Sequence, residues 1–314
     1  MAGNQAPDGI VGPYREREGS FYAIKELWSP IQVRRETNFE TRIKVPPLKI
    51  HFTTSAGYIE MPDCIEAYGG DLTVRVDRNT GMLTKVKRGR HEYSIANGPR
   101  LNIGTSKLLN LFVTEKKESN SVLIRATFEG DMKEVSWRIR NDGWVQCSYK
   151  YTSTGTQDFF GVVFDYPDKF VKKKRWLGDG PFRVWKNRLG GGMLGVWEND
   201  YNNTITGYSG WEYPEFKGCF SNVRWLQLET TEGLITVVPD NIPFVQVLTP
   251  EQPPDNLVAK TKVNLPQCGL GFLHAIPPIG SKFKDATFTG PQGQPNVGQG
   301  EYSGTVSFYF GKLP

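Results

Sequence analysis

Short runs of alternating apolar and polar residues, separated by turn-forming residues, recur along most of this 314-residue chain. The run from Leu72 to Val76 alternates in this way, is followed by the polar segment Asp77 to Gly81, and resumes at Met82 to Val86. Alternation places the apolar side chains on one face of a strand, and Asn and Gly tolerate the positive φ values of tight turns. The sequence therefore predicts a β-hairpin over residues 72–86.

Similar alternating runs continue to the end of the chain. The composition, with 34 glycines, 21 prolines and 12% aromatic residues, is also typical of an all-β protein. Many short strands joined by turns predict antiparallel sheets packed face to face. A long surface loop is expected from Gly280 to Gly300, before the last strand. Further strands are predicted at Ser121 to Phe128, Val135 to Arg140, Trp144 to Tyr151, Val223 to Glu229, Leu234 to Val238 and Thr305 to Phe310.

The N-terminal region differs from the rest of the chain. A helix is predicted from Ser20 to Trp28, with Ser20 as its N-cap and Pro30 after its end. Its apolar face has too little preceding chain to cover it, so the helix is interpreted as the last element of another domain. We therefore divide the chain into residues 1–33 as a domain remnant, residues 34–60 as a linker or partial strand region, and residues 61–314 as a β domain.

Charge does not indicate a nucleic-acid-binding protein. The chain has 38 Lys and Arg residues against 33 Asp and Glu residues, a formal charge of +5, and this small excess is spread along the sequence. The densest basic run, Lys172 to Arg175, is interpreted as a solvated loop or a strand edge protected from pairing.

Cysteines and histidines are widely separated, so the sequence predicts neither a metal site nor a disulfide framework. The cysteines are expected to be free thiols. No run reaches the roughly 18 apolar residues of a transmembrane helix, and the first twenty residues are too polar for a signal peptide. We expect a soluble chain without a membrane partner or a cofactor. The residues concerned are Cys64, Cys147, Cys219 and Cys268, and His51, His91 and His274.

Two blocks of sequence carry a family resemblance. The first joins Asp8 to Val11 with Tyr22 to Pro30, and the second spans about residues 64–314. The first resembles the closing strand and helix of the catalytic barrel of family 2 glycoside hydrolases of the β-galactosidase type. The second is similar, in the order and spacing of its motifs, to the C-terminal small-chain domain of those enzymes. Its motifs are Gly178 to Arg188, Gly195 to Trp197, Tyr213 to Glu215, Asn222 to Leu228 and Gln267 to Gly271.

This resemblance implies an antiparallel supersandwich, similar to the galactose mutarotase fold, that packs beside the barrel and lends a loop to its sugar pocket. Residues 1–33 would then be the end of the barrel. The chain departs from the family at Arg183, where an acidic residue is usual, and at Trp185, which replaces a tyrosine. The loop expected from Phe272 to Ile276 also lacks the pocket tryptophan of galactosidases. The resemblance therefore does not extend to galactose specificity.

Glycoside hydrolysis uses two carboxyl groups, about 5–5.5 Å apart for retention or about 6.5–9.5 Å for inversion. In family 2 both come from the barrel. Glu198 and Asp200 would share a face of an extended segment and are the candidate pair on this chain, but surface charge is the simpler interpretation, and no catalytic pair is predicted. His274, expected on a loop, is either a structural histidine or a general acid or base.

Aromatic residues are frequent between residues 176 and 225, where they are interleaved with polar ones. Sugar sites combine an aromatic platform with a few fixed polar groups. Trp197 and Trp225 lie in strand-like runs and are expected in the core, whereas Trp185 and Trp211 have polar or glycine-rich neighbours and are the candidate platforms. The predicted carbohydrate-binding residues are Arg183, Trp185, Asn187, Arg188, Trp211, Glu215 and His274.

Together these observations predict the carbohydrate-binding and scaffolding C-terminal portion of a family 2 glycoside hydrolase, inactive on its own. The expected partners are an oligosaccharide or polysaccharide, and a catalytic barrel domain or a second copy of the chain. Two alternatives remain open. One is an independent mutarotase-like enzyme, which would need a histidine and a carboxylate at the sugar's anomeric centre, and the other is a purely structural domain.

Overall fold

A computed structural model describes residues 55–200, 218–248 and 262–313 of the chain. The predicted helix at 20–28, Trp211 and Glu215 lie outside the described residues. Within those ranges the regular structure consists of β-strands and short 3₁₀ turns, so the predicted all-β class is confirmed. In chain order the strands are β1 Gly57–Glu60, β2 Cys64–Gly69, β3 Leu72–Asp77, β4 Leu83–Arg88, β5 His91–Tyr93, β6 Ala96–Leu101, β7 Ser106–Lys116, β8 Ser121–Gly130, β9 Met132–Arg140, β10 Trp144–Gln157, β11 Phe160–Asp165, β12 Val171–Gly180, β13 Met193–Asp200, β14 Phe220–Ser221, β15 Trp225–Thr230, β16 Gly233–Asp240, β17 Phe244–Val247, β18 Leu270–Ala275 and β19 Asn296–Phe310.

The strands form two antiparallel sheets. The first sheet has the order β1-β2-β3-β4-β6-β11-β18-β17-β14, with β5 paired to β4. The second has the order β13-β12-β15-β16-β19-β10-β9-β8-β7. At its centre β10 pairs with β19 along the whole of β10, from Trp144 opposite Tyr309 to Gln157 opposite Asn296.

The core lies between the two sheets. In β8, for example, Val122, Ile124 and Ala126 are fully buried at alternating positions, as a strand with one inward face requires. Aromatic rings join the sheets, because Phe164 of the first sheet lies 6.1 Å from Trp137 and 5.3 Å from Phe308 of the second, centroid to centroid. Each such buried side chain stabilises the fold by about 1.5–3 kcal/mol relative to exposure.

The predicted hairpin is present as β3 and β4. Asp77 Oδ1 accepts hydrogen bonds from the backbone N–H groups of Asn79 and Thr80, at 2.9 and 2.7 Å. Gly81 has a φ of +70°, a left-handed conformation that glycine adopts at little cost. Asp77 and Gly81 therefore stabilise the turn that the sequence predicts between the two strands.

Three sequence-based expectations were wrong in position. The Lys172–Arg175 run lies in β12, between β13 and β15, so it is neither a loop nor a sheet edge. The chain after Gly271 continues as β18, so His274 is on a strand rather than a loop. The last strand begins at Asn296 and takes up the end of the expected 280–300 loop. In each case pairing with a neighbouring strand satisfies backbone groups that a loop would have left to water.

All four cysteines are free thiols, as predicted, and three of them are buried. Strand β1 falls within residues 34–60 and pairs with β2, which agrees with a partial strand there, although the proposed domain boundaries stay predictions. Among the described residues, no helix combines the length and apolar character that crossing a membrane would require.

Candidate functional site

Four of the predicted sugar-binding residues, at positions 183–188, lie between β12 and β13 in a loop of residues 181–192. This loop packs against residues 276–295, which connect β18 to β19. The backbone N–H of Lys186 donates to Pro277 O at 3.1 Å, and Lys186 Nζ donates to Gln294 O at 2.8 Å. We call residues 181–192 and 276–295 the paired loops.

Asn187 is the main polar link between the paired loops. Its Nδ2 donates to Ile279 O at 2.8 Å, and its Oδ1 accepts from Ile279 N at 2.9 Å. The same Nδ2 donates to Thr289 Oγ1 at 3.1 Å. Arg188 adds a bond from Nη2 to Gly280 O at 3.2 Å. The amide of Asn187 is thus occupied in holding one loop to the other.

Trp185 is buried, with 1% of its surface exposed, and it packs with Leu265 and Ile279 in a small apolar cluster. A sugar ring cannot stack on an indole that is covered on both faces. The indole therefore serves the packing of the paired loops in this structure.

Arg183, in the first of the paired loops, and Lys174, in β12, are two buried basic residues whose charges interact. The Arg183 guanidinium lies 5.3 Å from the centroid of the Phe220 ring. Lys174 Nζ donates to Asp200 O at 2.8 Å. Burial, followed by the nearby positive charge of Arg183, lowers the pKa of Lys174 to about 6.

Glu198 and Asp200 occupy alternate positions of β13, and both are exposed on the same face, as predicted for an extended segment. The Lys173 ammonium forms an ion pair with Glu198, and this hydrogen bond raises the pKa of Lys173. The two carboxylates thus face outward from a strand at the end of the second sheet.

His274 joins the two sheets. Its Nε2 lies 3.1 Å from Ser303 O and its Nδ1 lies 2.8 Å from the Tyr151 hydroxyl. Because a carbonyl oxygen can only accept, Nε2 carries the proton, and Nδ1 accepts from the tyrosine hydroxyl. Burial lowers the pKa of His274 and raises that of Tyr151, so both groups are held neutral.

Trp225 was expected in the core but lies on the outer face of the second sheet. Its neighbours along β15, Leu226 and Leu228, are fully buried, so the alternation of the strand turns Trp225 away from the core. It is half-buried, with the Arg175 guanidinium 5.9 Å from its ring centroid. The positions of the two leucines are a sequence signal that would have identified this orientation.

The paired loops also present apolar side chains to solvent. Phe283 is 81% exposed and Phe288 is 74% exposed, and Leu189 of the facing loop is exposed as well. The two loops thus hold three large apolar side chains in contact with solvent. Within the described ranges, no three His, Cys, Asp or Glu side chains lie close enough together to hold a metal ion.

Comparison with known proteins gives one family and several solved structures. No curated protein matches this sequence significantly. The fold is similar to that of galactose 1-epimerase from Lactobacillus acidophilus NCFM, with 12% identity and a TM-score of 0.43 over 83% of this chain and 100% of that one. A candidate aldose 1-epimerase from Escherichia coli K12 has 13% identity and a TM-score of 0.39 over 82% of this chain and 100% of that one.

The family comparison covers much of the two sheets. The model for the family described as beta galactosidase small chain matches residues 68–272, from the end of β2 into β18. The match includes the first of the paired loops and the three strands β12, β13 and β15. Because it covers more than half of the chain, the protein belongs to the β-galactosidase small chain family.

Proposed function

We propose that this chain is the carbohydrate-recognition and docking module of a β-galactosidase-like enzyme, and that a separate catalytic barrel performs hydrolysis. The observation that carries this proposal is the family match over residues 68–272. A small chain is by description part of a larger enzyme, so its own surfaces should bind sugar, bind the rest of the enzyme, or do both.

The positions of the candidate carboxylates support a non-catalytic module. Glu198 and Asp200 are exposed on one strand, and Glu198 is paired with Lys173. Hydrolysis requires two carboxyl groups on opposite sides of a bound glycosidic bond. Two side chains that point in the same direction from one strand would approach a sugar from the same side.

The paired loops support a docking role. Asn187 fixes the second loop through both its amide oxygen and its amide nitrogen, so Phe283 and Phe288 are presented from a connected support rather than from a free segment. Exposed aromatic side chains on a pre-organised surface lose little entropy on binding and are common anchors in protein interfaces. We infer that these two rings contact the barrel.

Hydrolysis of an aryl β-D-galactoside by the purified chain tests the catalytic part of the proposal. Release of the aryl group should not exceed the background rate. A turnover number of roughly 1 s⁻¹ or more, in the ordinary range of enzymes, that is abolished in Glu198→Gln or Asp200→Asn would contradict it. Lys172→Gln, an exposed change in the adjacent strand, is the matched control.

Co-purification tests the docking part. The chain would be co-expressed with a β-galactosidase barrel chain truncated before its small-chain region, and the recovered complex would be quantified. The double variant Phe283→Ser/Phe288→Ser should reduce recovery, whereas Leu109→Ser, which changes an exposed leucine of β7, should not. Equal recovery of the complex with the wild-type chain and with both variants would exclude the paired loops as the docking surface.

A mutarotase-like activity is the second candidate, and His274 is the observation that bears on it. Both ring nitrogens of His274 are hydrogen-bonded inside the protein, which suits a structural histidine better than a group that exchanges a proton with a sugar. Polarimetry of freshly dissolved α-D-galactose measures this activity directly. If the wild-type chain accelerates the change in optical rotation and His274→Gln does not, the result would favour the mutarotase alternative.

A further inference from the structure

The outer face of β13, β12 and β15 carries an apolar strip. In the strand register Val196 of β13 lies opposite Leu177 of β12, and Leu177 lies opposite Trp225 of β15. Adjacent strands are about 4.7–4.9 Å apart, so the strip crosses about 10 Å of the sheet. Val196 is 52% exposed, and the other two side chains are half-buried.

A row of polar side chains runs beside this strip, one position further along the same face. Glu198 lies opposite Arg175, and Arg175 lies opposite Gln227. The Arg175 guanidinium is close to the Trp225 ring, 5.9 Å from its centroid. Gln227 Nε2 donates to Thr236 Oγ1 at 3.3 Å, which ties the Gln227 side chain to the neighbouring strand β16.

This face has no excess of positive charge. Lys173 is paired with Glu198, and the register also places Lys173 opposite Asp200 and Glu229. A site for a polyanion would show an excess of basic groups, whereas this face has acidic groups next to each basic one. Its chemistry suits a neutral ligand with apolar patches and many hydroxyl groups.

We propose that the outer face of β13, β12 and β15 binds a neutral saccharide, with one pyranose ring stacked on Trp225. The ring's C–H face would cover the indole and Leu177, while Arg175 and Gln227 donate to its hydroxyl groups. Aromatic platforms flanked by a few fixed polar groups are the usual construction of such sites. This inference rests on the proposed role in carbohydrate recognition and assigns that role to a surface distinct from the paired loops.

Calorimetric titration with neutral β-linked tetrasaccharides tests the proposal, using those derived from galactan, cellulose and xylan. Trp225→Ala should weaken the binding of the preferred tetrasaccharide by about tenfold, the effect of losing a stacking contact of about 1.4 kcal/mol. Trp225→Tyr should restore much of the affinity because it keeps an aromatic face. Phe112→Ala is the matched control, since Phe112 is a 60% exposed aromatic residue of β7, at the other edge of the same sheet.

Each outcome of this titration is informative. If the wild-type chain binds a tetrasaccharide and Trp225→Ala binds it equally well, the Trp225 site is excluded while carbohydrate recognition stands. If the folded wild-type chain binds none of the three, both carbohydrate recognition and this site are excluded. Binding that falls steeply with added salt would identify an electrostatic ligand and would overturn the assignment to a neutral saccharide. Far-UV circular dichroism confirms that every variant is folded.

Discussion

At the scale of single residues, Lys174 is the most unusual side chain in the described part of the molecule. It belongs to a run of four basic residues, yet it is 1% exposed because the alternation of β12 turns it inward. Its Nζ donates a hydrogen bond to Asp200 O and lies near the Arg183 charge. A buried amine in this setting favours its neutral form.

Lys174 should make the stability of the protein depend on pH. Its pKa is about 6 in the folded protein against an ordinary value of 10.5, so between these values the unfolded chain binds a proton that the folded protein lacks. The free energy of unfolding should therefore rise with pH across that interval, and the destabilisation should be complete below the folded pKa. Urea denaturation of wild type and Lys174→Met measures it. The free energy of unfolding of Lys174→Met should depend less steeply on pH than that of the wild type. Near neutral pH the variant should be more stable than the wild type by about 1–3 kcal/mol.

Lys172→Met is the control for this measurement, because Lys172 is exposed in the same strand and its replacement should change stability by no more than about 0.5 kcal/mol. Parallel pH profiles for wild type and Lys174→Met would contradict the assignment of a buried neutral amine.

Residue-level prediction from sequence succeeded where strand alternation decided the outcome. It placed Glu198 and Asp200 on one face correctly. It gave too much weight to the polar and glycine-rich neighbours of Trp185, which is buried because a distant segment, containing Leu265 and Ile279, packs over it. That contact joins residues far apart in the sequence, so no local sequence pattern predicts it.

At the scale of elements, the paired loops show how irregular segments are held in place. Asn187 supplies both an acceptor and a donor to the backbone of Ile279, and also donates to Thr289. A side-chain amide used in this way replaces the strand pairing that the loops lack. The two loops should therefore open together rather than separately.

Replacing Asn187 by Ala should release the second loop. Loss of the side chain leaves the Ile279 backbone groups without these partners, so the free energy of unfolding should fall by about 1–3 kcal/mol. Native-state hydrogen exchange should quicken at Ile279, whose N–H donates to Asn187 Oδ1. Asn110→Ala is the control, because the Asn110 side chain is exposed and its hydrogen bond to Thr127 Oγ1 is long, at 3.4 Å. Unchanged exchange at Ile279 would show that the loop is held by other contacts.

Strands with one solvent-exposed face could be predicted from the sequence, whereas strands at the centre of the first sheet could not. β8, β9 and β10 alternate and were located near their true positions. β11 and β18 are buried at nearly every position, so they show no alternation, and the second was mistaken for a loop. A fully buried strand cannot be distinguished from other apolar segments by periodicity alone.

At the scale of the whole molecule, both sheets contribute to one continuous core, whose residues come from positions between Ala56 and Phe310 of the sequence. The pattern of alternating runs was sufficient to predict antiparallel sheets packed face to face. The strand order was not predictable, because it depends on long-range pairings such as β11 between β6 and β18.

Deletion of residues 1–33 should leave the thermal midpoint of the β domain nearly unchanged, since the core described here is built from residues after 55. It should also reduce self-association, because the apolar face of the predicted helix is removed with it. Differential scanning calorimetry and sedimentation velocity measure the two effects. A loss of stability of several kcal/mol, of the size seen for large buried side chains, would show that this segment belongs to the core of the β domain.

The central claim is that the chain recognises a saccharide without hydrolysing it, and saturation-transfer NMR tests both halves in one sample. The purified chain would be mixed with the β-linked tetrasaccharides derived from galactan, cellulose and xylan and followed over several hours. We predict transfer from the protein to the C–H protons of at least one pyranose ring, with the anomeric signals of all three tetrasaccharides unchanged throughout. Absence of transfer, or growth of new reducing-end anomeric signals that requires the folded chain, would contradict the account.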